Sequence, residues 1–362
     1  MAREHLFATY LIVGCCGLAT AEDSRNRAKT APAGPDAIPL QTLSTATATI
    51  SGDGFLSWSG PPLCDQRQNV YLLLVPHWTA RPDGTAGAGA ALRPRDVLRI
   101  SSDGKKQTTF KPTADPKFAN VDDLITIGAA LDQHGTLFTL VWARWREGSA
   151  QSAKSGQFIL SFKPDGQLRS QVEVDPDQIL VDKFEVFGSG DFLVRGRRPN
   201  SSDPRLAILG SSGRSLQDVR RWSGKFLDDP SPDTPPHFDY MVRGRDGRIY
   251  LTQPDPGEEG DTVYAISSTG DAERVFKLPR MPKDPSLLGW TASEDAFAAT
   301  YHDGGEQSGR WWVAVYRNDG DDVQTTVYGP APGPPICYEH VGAKDRFTFV
   351  KDGTKLVTMS SP

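Results

Sequence analysis

Ionisable residues occur in pairs at four places where the surrounding residues alternate like short strands: Asp122 and Asp123, Lys183 and Glu185, His237 and Asp239, and Glu339 and His340. A histidine together with carboxylates is a ligand set for a divalent cation. Spacing decides which of these groups can act together. Alternate residues of a strand share a face, so His237 and Asp239 project together, whereas Glu339 and His340 project apart. The ordinary use of such groups is a hydrated, hydrogen-bonded lining. That is the expectation for Asp122, Glu185, His237, Asp239, Glu339 and His340: a ligand-facing surface with no cofactor, a bound divalent metal being the alternative.

No sharper reactive motif accompanies them. The six histidines form no HExxH, and no GxSxG, GxGxxG or phosphate-loop pattern occurs. His77, His134 and His302 fall at strand ends or turns, where a solvated side chain is usual. Trp142, Trp145, Trp311 and Trp312 can stack on sugar rings, but core packing is the commoner role. The segment Ser51-Gly52-Asp53-Gly54-Phe55-Leu56-Ser57-Trp58 is similar to the Asp-box of sialidases, S-x-D-x-G-x-T-W, with Phe55 where the turn glycine belongs. It occurs once and reads as a strand turn.

The four cysteines, at 15, 16, 64 and 337, include no CxxC pair, which removes zinc-ribbon and thioredoxin-type readings. The net charge of −5 argues against a nucleic-acid surface, which would be basic. From Leu6 to Leu18 the chain is apolar for 13 residues apart from Thr9. That is short of the ~20 residues of a membrane span and matches a signal-peptide core. Ile12-Val13-Gly14-Cys15 resembles the bacterial lipobox, in which Cys15 is lipidated; Ala19-Thr20-Ala21 offers ordinary cleavage instead. Both outcomes stay open, and both imply export to the cell envelope or periplasm, with membrane contact only through a lipid anchor. The expected organisation is a signal peptide over 1–21, a polar, disordered tether over 22–42, and one folded domain over 43–362.

Positioning the paired residues falls to a recurring hairpin. An apolar strand, a short turn closed by Gly and a more polar strand recur at Val97–Gly104, Phe158–Gly166, Leu206–Gly213, Val263–Gly270 and Val313–Gly320. Upstream of these lie second strands centred on Tyr71, Leu137, Phe192, Ile249 and Phe297, and a sixth on Phe347. Still further upstream come apolar segments such as Leu124–Ile127, Phe184–Phe187, Phe238–Val242 and Ile336–Val341, which carry the ionisable pairs. With 35 Gly and 28 Pro, the chain has turns enough for many short strands. Each unit of about 50 residues then reads as four antiparallel strands. The sixth unit stops after its third strand, Lys355–Met359, so the expectation is that an N-terminal segment, Ala46–Ile50 or Gly54–Trp58, supplies the fourth.

This pattern resembles a six-bladed β-propeller of the NHL-repeat type, over roughly residues 43 to 362. The resemblance implies an all-β ring closed by an N-terminal latch strand, with innermost strands around a central channel. Gluconolactonase-like propellers bind a metal there through Glu, Asn and Asp; their motifs have no residue-by-residue match in this chain. Cys64 and Cys337 belong to the first and last units, neighbours in a closed ring, and cysteines of exported proteins commonly pair. Aligned by unit, Cys64 stands about three residues further along its strand, on the order of 10 Å at ~3.3 Å per residue, so a bond between them stays open. The functional expectation is a non-catalytic exported propeller that binds an envelope protein or small ligand at one face, the alternative being a channel-metal hydrolase or lactonase.

Overall fold

The computed structural model of the chain describes residues 37–47, 63–74, 96–146, 153–201, 204–219, 241–244, 246–254, 261–278, 286–292, 296–302, 310–319, 322–351 and 355–362. Of the sequence expectations, Cys15, the near Asp-box, His237, Asp239 and Gly320 lie outside these residues.

The first strand, β1 (Gln41–Thr47), pairs with none of its sequence neighbours. Blade one follows as β2 (Leu63–Cys64), β3 (Val70–Leu73), β4 (Val97–Ile100) and β5 (Gln107–Phe110). Blade two is β6 (Asp123–Leu131), β7 (Leu137–Arg146), β8 (Ala153–Phe162) and β9 (Leu168–Val174). Blade three is β10 (Leu180–Val186), β11 (Phe192–Arg197), β12 (Pro204–Leu209) and β13 (Leu216–Asp218). Blade four is β14 (Met241–Arg243), β15 (Ile249–Pro254), β16 (Asp261–Ile266) and β17 (Ala272–Leu278). Blade five is β18 (Ser286–Ala292), β19 (Ala296–His302), β20 (Trp311–Asp319) and β21 (Asp322–Ala331). Blade six is β22 (Cys337–Val341), β23 (Lys344–Lys351) and β24 (Lys355–Ser360), completed by β1 at its outer edge. Helix among the described residues amounts to two 3-10 turns, Pro112–Ala114 and Pro116–Phe118. The chain is a six-bladed β-propeller.

The second strand of each blade explains why the repeat was visible. In β3 all four residues are buried, because the two faces of one sheet pack on two different neighbours. Val70 and Leu72 pack with Ile336, Cys337 and Leu356 of blade six. Tyr71 and Leu73 pack with Leu124, Leu137 and Phe158 of blade two. A strand covered on both sides must be apolar throughout. Among the described residues, six buried clusters, one at each seam between blades, make up the core. The inner strands touch in the order β2, β6, β10, β14, β18 and β22, and the Cys64–Cys337 disulfide ties β22 back to β2 across a Cα–Cα distance of 5.4 Å.

That bond settles the register question. Leu63 pairs with Tyr71 and Tyr338 with Phe347, so with Tyr71 and Phe347 equivalent the offset is two residues rather than three. Neighbouring blades are joined by side-chain packing, not by a hydrogen-bond ladder. No backbone register therefore fixes their relative height, and the remaining offset closes. In the chain-entropy account a loop this long stabilises by up to ~5 kcal/mol.

The repeated turn glycine also serves the seams. Gly166 closes the turn between β8 and β9 with φ +92°, and a Cβ there would lie 2.7 Å from the carbonyl oxygen of Thr109 in β5 of the preceding blade. Gly104, at the equivalent turn of blade one, has φ +73° and would bring a Cβ 3.0 Å from the Cβ of Ala46 in β1. Strand β1 thus meets blade one as other outer strands meet the blade that follows them. Its six paired positions run from Gln41↔Ser360 to Thr47↔Lys355. The paired chain begins before residue 43: Ile38 bridges to Tyr328 of β21, its amide donating to the Val327 carbonyl at 2.9 Å. The N-terminal segment therefore stitches blade five to blade six. Of the two latch candidates, the first overlaps β1 at Ala46 and Thr47.

Candidate functional site

The innermost strands place the sequence candidates at different levels. Asp122 stands just before β6, exposed, its amide donating to the Arg144 carbonyl at 2.8 Å, and Asp123 beside it is ion-paired to Arg144. Glu185, Glu339 and His340 sit near the opposite, C-terminal ends of β10 and β22. Glu339 turns to Arg346 at 3.5 Å. His340 bonds to Asp345 through Nδ1 at 2.9 Å and approaches Arg317 at 3.3 Å. Among the described residues no three His, Cys, Asp or Glu side chains come together in a way that could hold a metal ion.

Glu185 is the buried member of the set, 6% exposed. The amide of Val186 donates to its carboxylate at 3.1 Å. Burial pushes its pKa up to about 7, against the pull of that amide and of the Arg243 guanidinium on the next inner strand. Arg243 in turn donates from Nε to the Leu131 carbonyl at the end of β6, at 3.2 Å. One side chain from blade four thus ties the channel ends of blades two, three and four. Burial draws the Arg243 guanidinium below its usual range, although the charges of Glu185 and Asp132 oppose this.

The sign of the Glu185 titration follows from the raised folded-state value. Folding takes up a proton, so the stabilisation is complete below pH ~4.3 and is lost as pH rises through 7. Glu185→Gln removes this dependence. The variant is expected to gain on wild type by up to about 3 kcal/mol between pH 4 and 8, at ~1.4 kcal/mol per unit. Denaturant melts of both proteins across that range measure it; parallel curves would refute a buried, titrating Glu185.

Outside the channel, the turns between inner and second strands build two hollows on one face. The first, of about 330 Å³, lies between blades one and two and is lined by Asp65, Arg67, Tyr71, Arg99, Gln133 and His134 among others. The second, of about 250 Å³, lies between blades six and one and includes Arg67, Gln68, Glu339 and Arg346. Arg67 borders both. Asp65 closes its own turn: one oxygen accepts from the amides of Arg67 and Asn69, each at 2.9 Å, the other from Asn69 Nδ2 at 2.8 Å and the Tyr71 hydroxyl at 3.2 Å. Burial, then the Asp65 charge, push the Tyr71 hydroxyl up to about 12. The same device recurs at Asp246, which accepts from Tyr250 at 2.6 Å.

The sequence reading missed Arg67, Arg99 and Arg243. The available signal for Arg99 was a charge inside an otherwise buried strand, between Leu98 and Ile100. Trp145 packs against Phe118 and Phe158 and Trp312 in the seam of blades four and five, whereas Trp142 is half-buried beside Arg144 and Trp311 half-buried against His302.

No family model matches the chain, and no curated protein matches it in sequence. Solved structures align with most of it. A gluconolactonase of Xanthomonas campestris is 14% identical, covering 91% of this chain and 99% of its own, with a TM-score of 0.46. The phage phi92 endosialidase is 11% identical, covering 90% of this chain and 69% of its own, with a TM-score of 0.47. An oligogalacturonate lyase in complex with manganese is 10% identical over 90% and 96%, with a TM-score of 0.43. Likeness at this level carries no chemistry from those proteins to this one.

Proposed function

We propose that the chain is an exported, non-catalytic propeller that binds an envelope protein or a small ligand through the face bearing the turns between inner and second strands. The observation that carries this reading is the pair of polar hollows meeting at Arg67. The carboxylate within the first, Asp65, has its lone pairs engaged by its own turn, which suits recognition better than reaction. Export is supported by the apolar stretch from Leu6 to Leu18 and by the Cys64–Cys337 bond, since disulfides persist in oxidising compartments.

The alternative, a channel-metal hydrolase or lactonase, draws on Glu185, a buried carboxyl tuned near neutrality, as catalytic acids and bases often are. Two measurements separate the readings: capture of partners from the envelope fraction of the native host, and metal content with lactone hydrolysis before and after chelation. A retained partner without chelator-sensitive hydrolysis is expected. Stoichiometric metal with hydrolysis that chelation abolishes would replace the binding reading with the enzymatic one.

A further inference from the structure

We infer that the hollow between blades one and two is a binding site for a small anion, a ligand presenting a carboxylate or phosphate group. The inference rests on the binding reading above and names the chemistry of one of its two hollows.

Three basic side chains line the hollow, Arg67, Arg99 and His134, beside the side-chain amides of Gln66, Asn69 and Gln133 and the Tyr71 hydroxyl. Among the described residues none of the three basic groups has a carboxylate within ion-pair distance. Arg99 is the anchor. It rises from β4 between Leu98 and Ile100, which are 4% and 0% exposed. A half-buried charge at such a position costs stability unless it is compensated. Its partners are neutral: one guanidinium nitrogen donates to Thr108 Oγ1 at 2.9 Å, the group also hydrogen-bonds the Tyr71 hydroxyl, and it lies 5.9 Å from the centre of the Phe110 ring. These contacts hold the fork in place and leave donors over for a ligand. A guanidinium so fixed loses little freedom on binding, and its planar fork matches carboxylate and phosphate oxygens.

Arg67, exposed on the turn after β2, brings a second guanidinium to the rim, with no hydrogen bond from its side chain to any described residue. His134, on the corresponding turn of blade two, brings an imidazole from the opposite side, its Nε2 accepting from the Gln133 amide at 3.2 Å, which leaves Nδ1 as its donor. The one carboxylate present, Asp65, already receives four hydrogen bonds. A cationic ligand would have to displace those bonds, whereas an anionic one meets open donors. The volume of about 330 Å³ suits a small molecule and not a polymer segment.

The test uses the full exported chain with two probes, inorganic phosphate and citrate, in calorimetric titrations at low and physiological salt. One-to-one saturable binding of at least one probe is expected. Arg67→Ala should weaken it about tenfold, and Arg67→Ala with Arg99→Gln should abolish it. Arg144→Ala, which removes a cation paired with Asp123 elsewhere on the ring, should leave it unchanged. If Arg99→Gln does not fold, Arg67→Ala and Arg144→Ala alone decide. Absence of binding, or equal loss in the Arg144 variant, overturns the site. That failure leaves partner capture intact, because capture requires no anion; loss of capture with anion binding retained would instead refute the wider reading.

Discussion

Deleting residues 1–47 is expected to lower the melting temperature by roughly 5–10 °C relative to deleting 1–36, and to make the protein self-associate. The shorter deletion leaves every described residue in place. The longer one removes β1 and with it the outer neighbour of β24. The ladder has six paired positions, and at ~1 kcal/mol net per hydrogen bond its loss is large. The conformational entropy that the ordered strand no longer costs opposes it. Apolar contact changes little, since β1 is exposed along most of its length and, of the described residues removed, Ala37, Leu40 and Ala46 join the packed seams. The expected shift corresponds to a net loss of roughly 2–4 kcal/mol at ~2–4 °C per kcal/mol for a large domain.

Association follows from a different term. Without β1, the strand Lys355–Ser360 presents a row of unpaired backbone groups, a template for another chain. A peptide of residues 37–47 added in trans should restore a single species by strand addition, and a scrambled peptide should not. The Cys64–Cys337 bond still holds the centre of the ring, so reduction should deepen the loss in the longer deletion more than in the shorter. Identical melting of the two truncations would refute the latch.

Particular residues show why the fold could be read from sequence and the site only partly. Strands such as Val70–Leu73 are apolar because two blades cover them, and turns such as that of Gly166 need glycine for both backbone sign and close approach. Those constraints are local and repeat with each blade, so the sequence displays them. The identity of the latch was less visible: Gln41–Thr47 is polar and exposed, and pairing at an edge selects for backbone rather than for a side-chain pattern. The disulfide depended on the height of one blade against another, which no ladder encodes. The candidate site suffered from the same cause. Inner-strand polarity picked out Glu185, but not that Arg243 reaches past blade three to Leu131, nor that Arg99 and His134 line one hollow across a seam. Nor did it show that His340, read as a channel residue, bonds to Asp345.

Replacing Asp345 with Ala should cost about 3 kcal/mol at neutral pH and should fall most heavily on the seam between blades five and six. Asp345 is 1% exposed. Its carboxylate pairs with Arg317 from β20 and accepts from the hydroxyls of Tyr328 in β21 and Tyr338 in β22, the latter at 3.0 Å. Its amide donates to Ser361 Oγ at 3.1 Å, and its carbonyl accepts from the Ser361 amide at 2.9 Å. Two strands of blade five and two of blade six therefore meet at one side chain, whose backbone also holds the residue after β24. Removing one partner of a buried pair costs ~3–5 kcal/mol because the other charge is left uncompensated; Arg317 is a quarter exposed, which places the expectation at the lower end. Burial alone would raise the Asp345 pKa, but the hydrogen bonds from Arg317, Tyr328 and His340 outweigh it and hold the carboxyl below its usual range. With a depressed folded-state pKa, its stabilisation is present above the unfolded value of ~3.9 and is lost as pH falls through the folded one. The gap between wild type and Asp345→Ala should therefore be full at pH 6–7 and narrow as pH falls below the unfolded value of ~3.9. His340→Ala, which removes a side chain 34% exposed, should cost under ~1 kcal/mol and keep the acid limb. Denaturant melts of the three proteins at successive pH values measure both the size and the slope, and an Asp345→Ala variant as stable as wild type at pH 7 would show that the seam does not depend on this carboxylate.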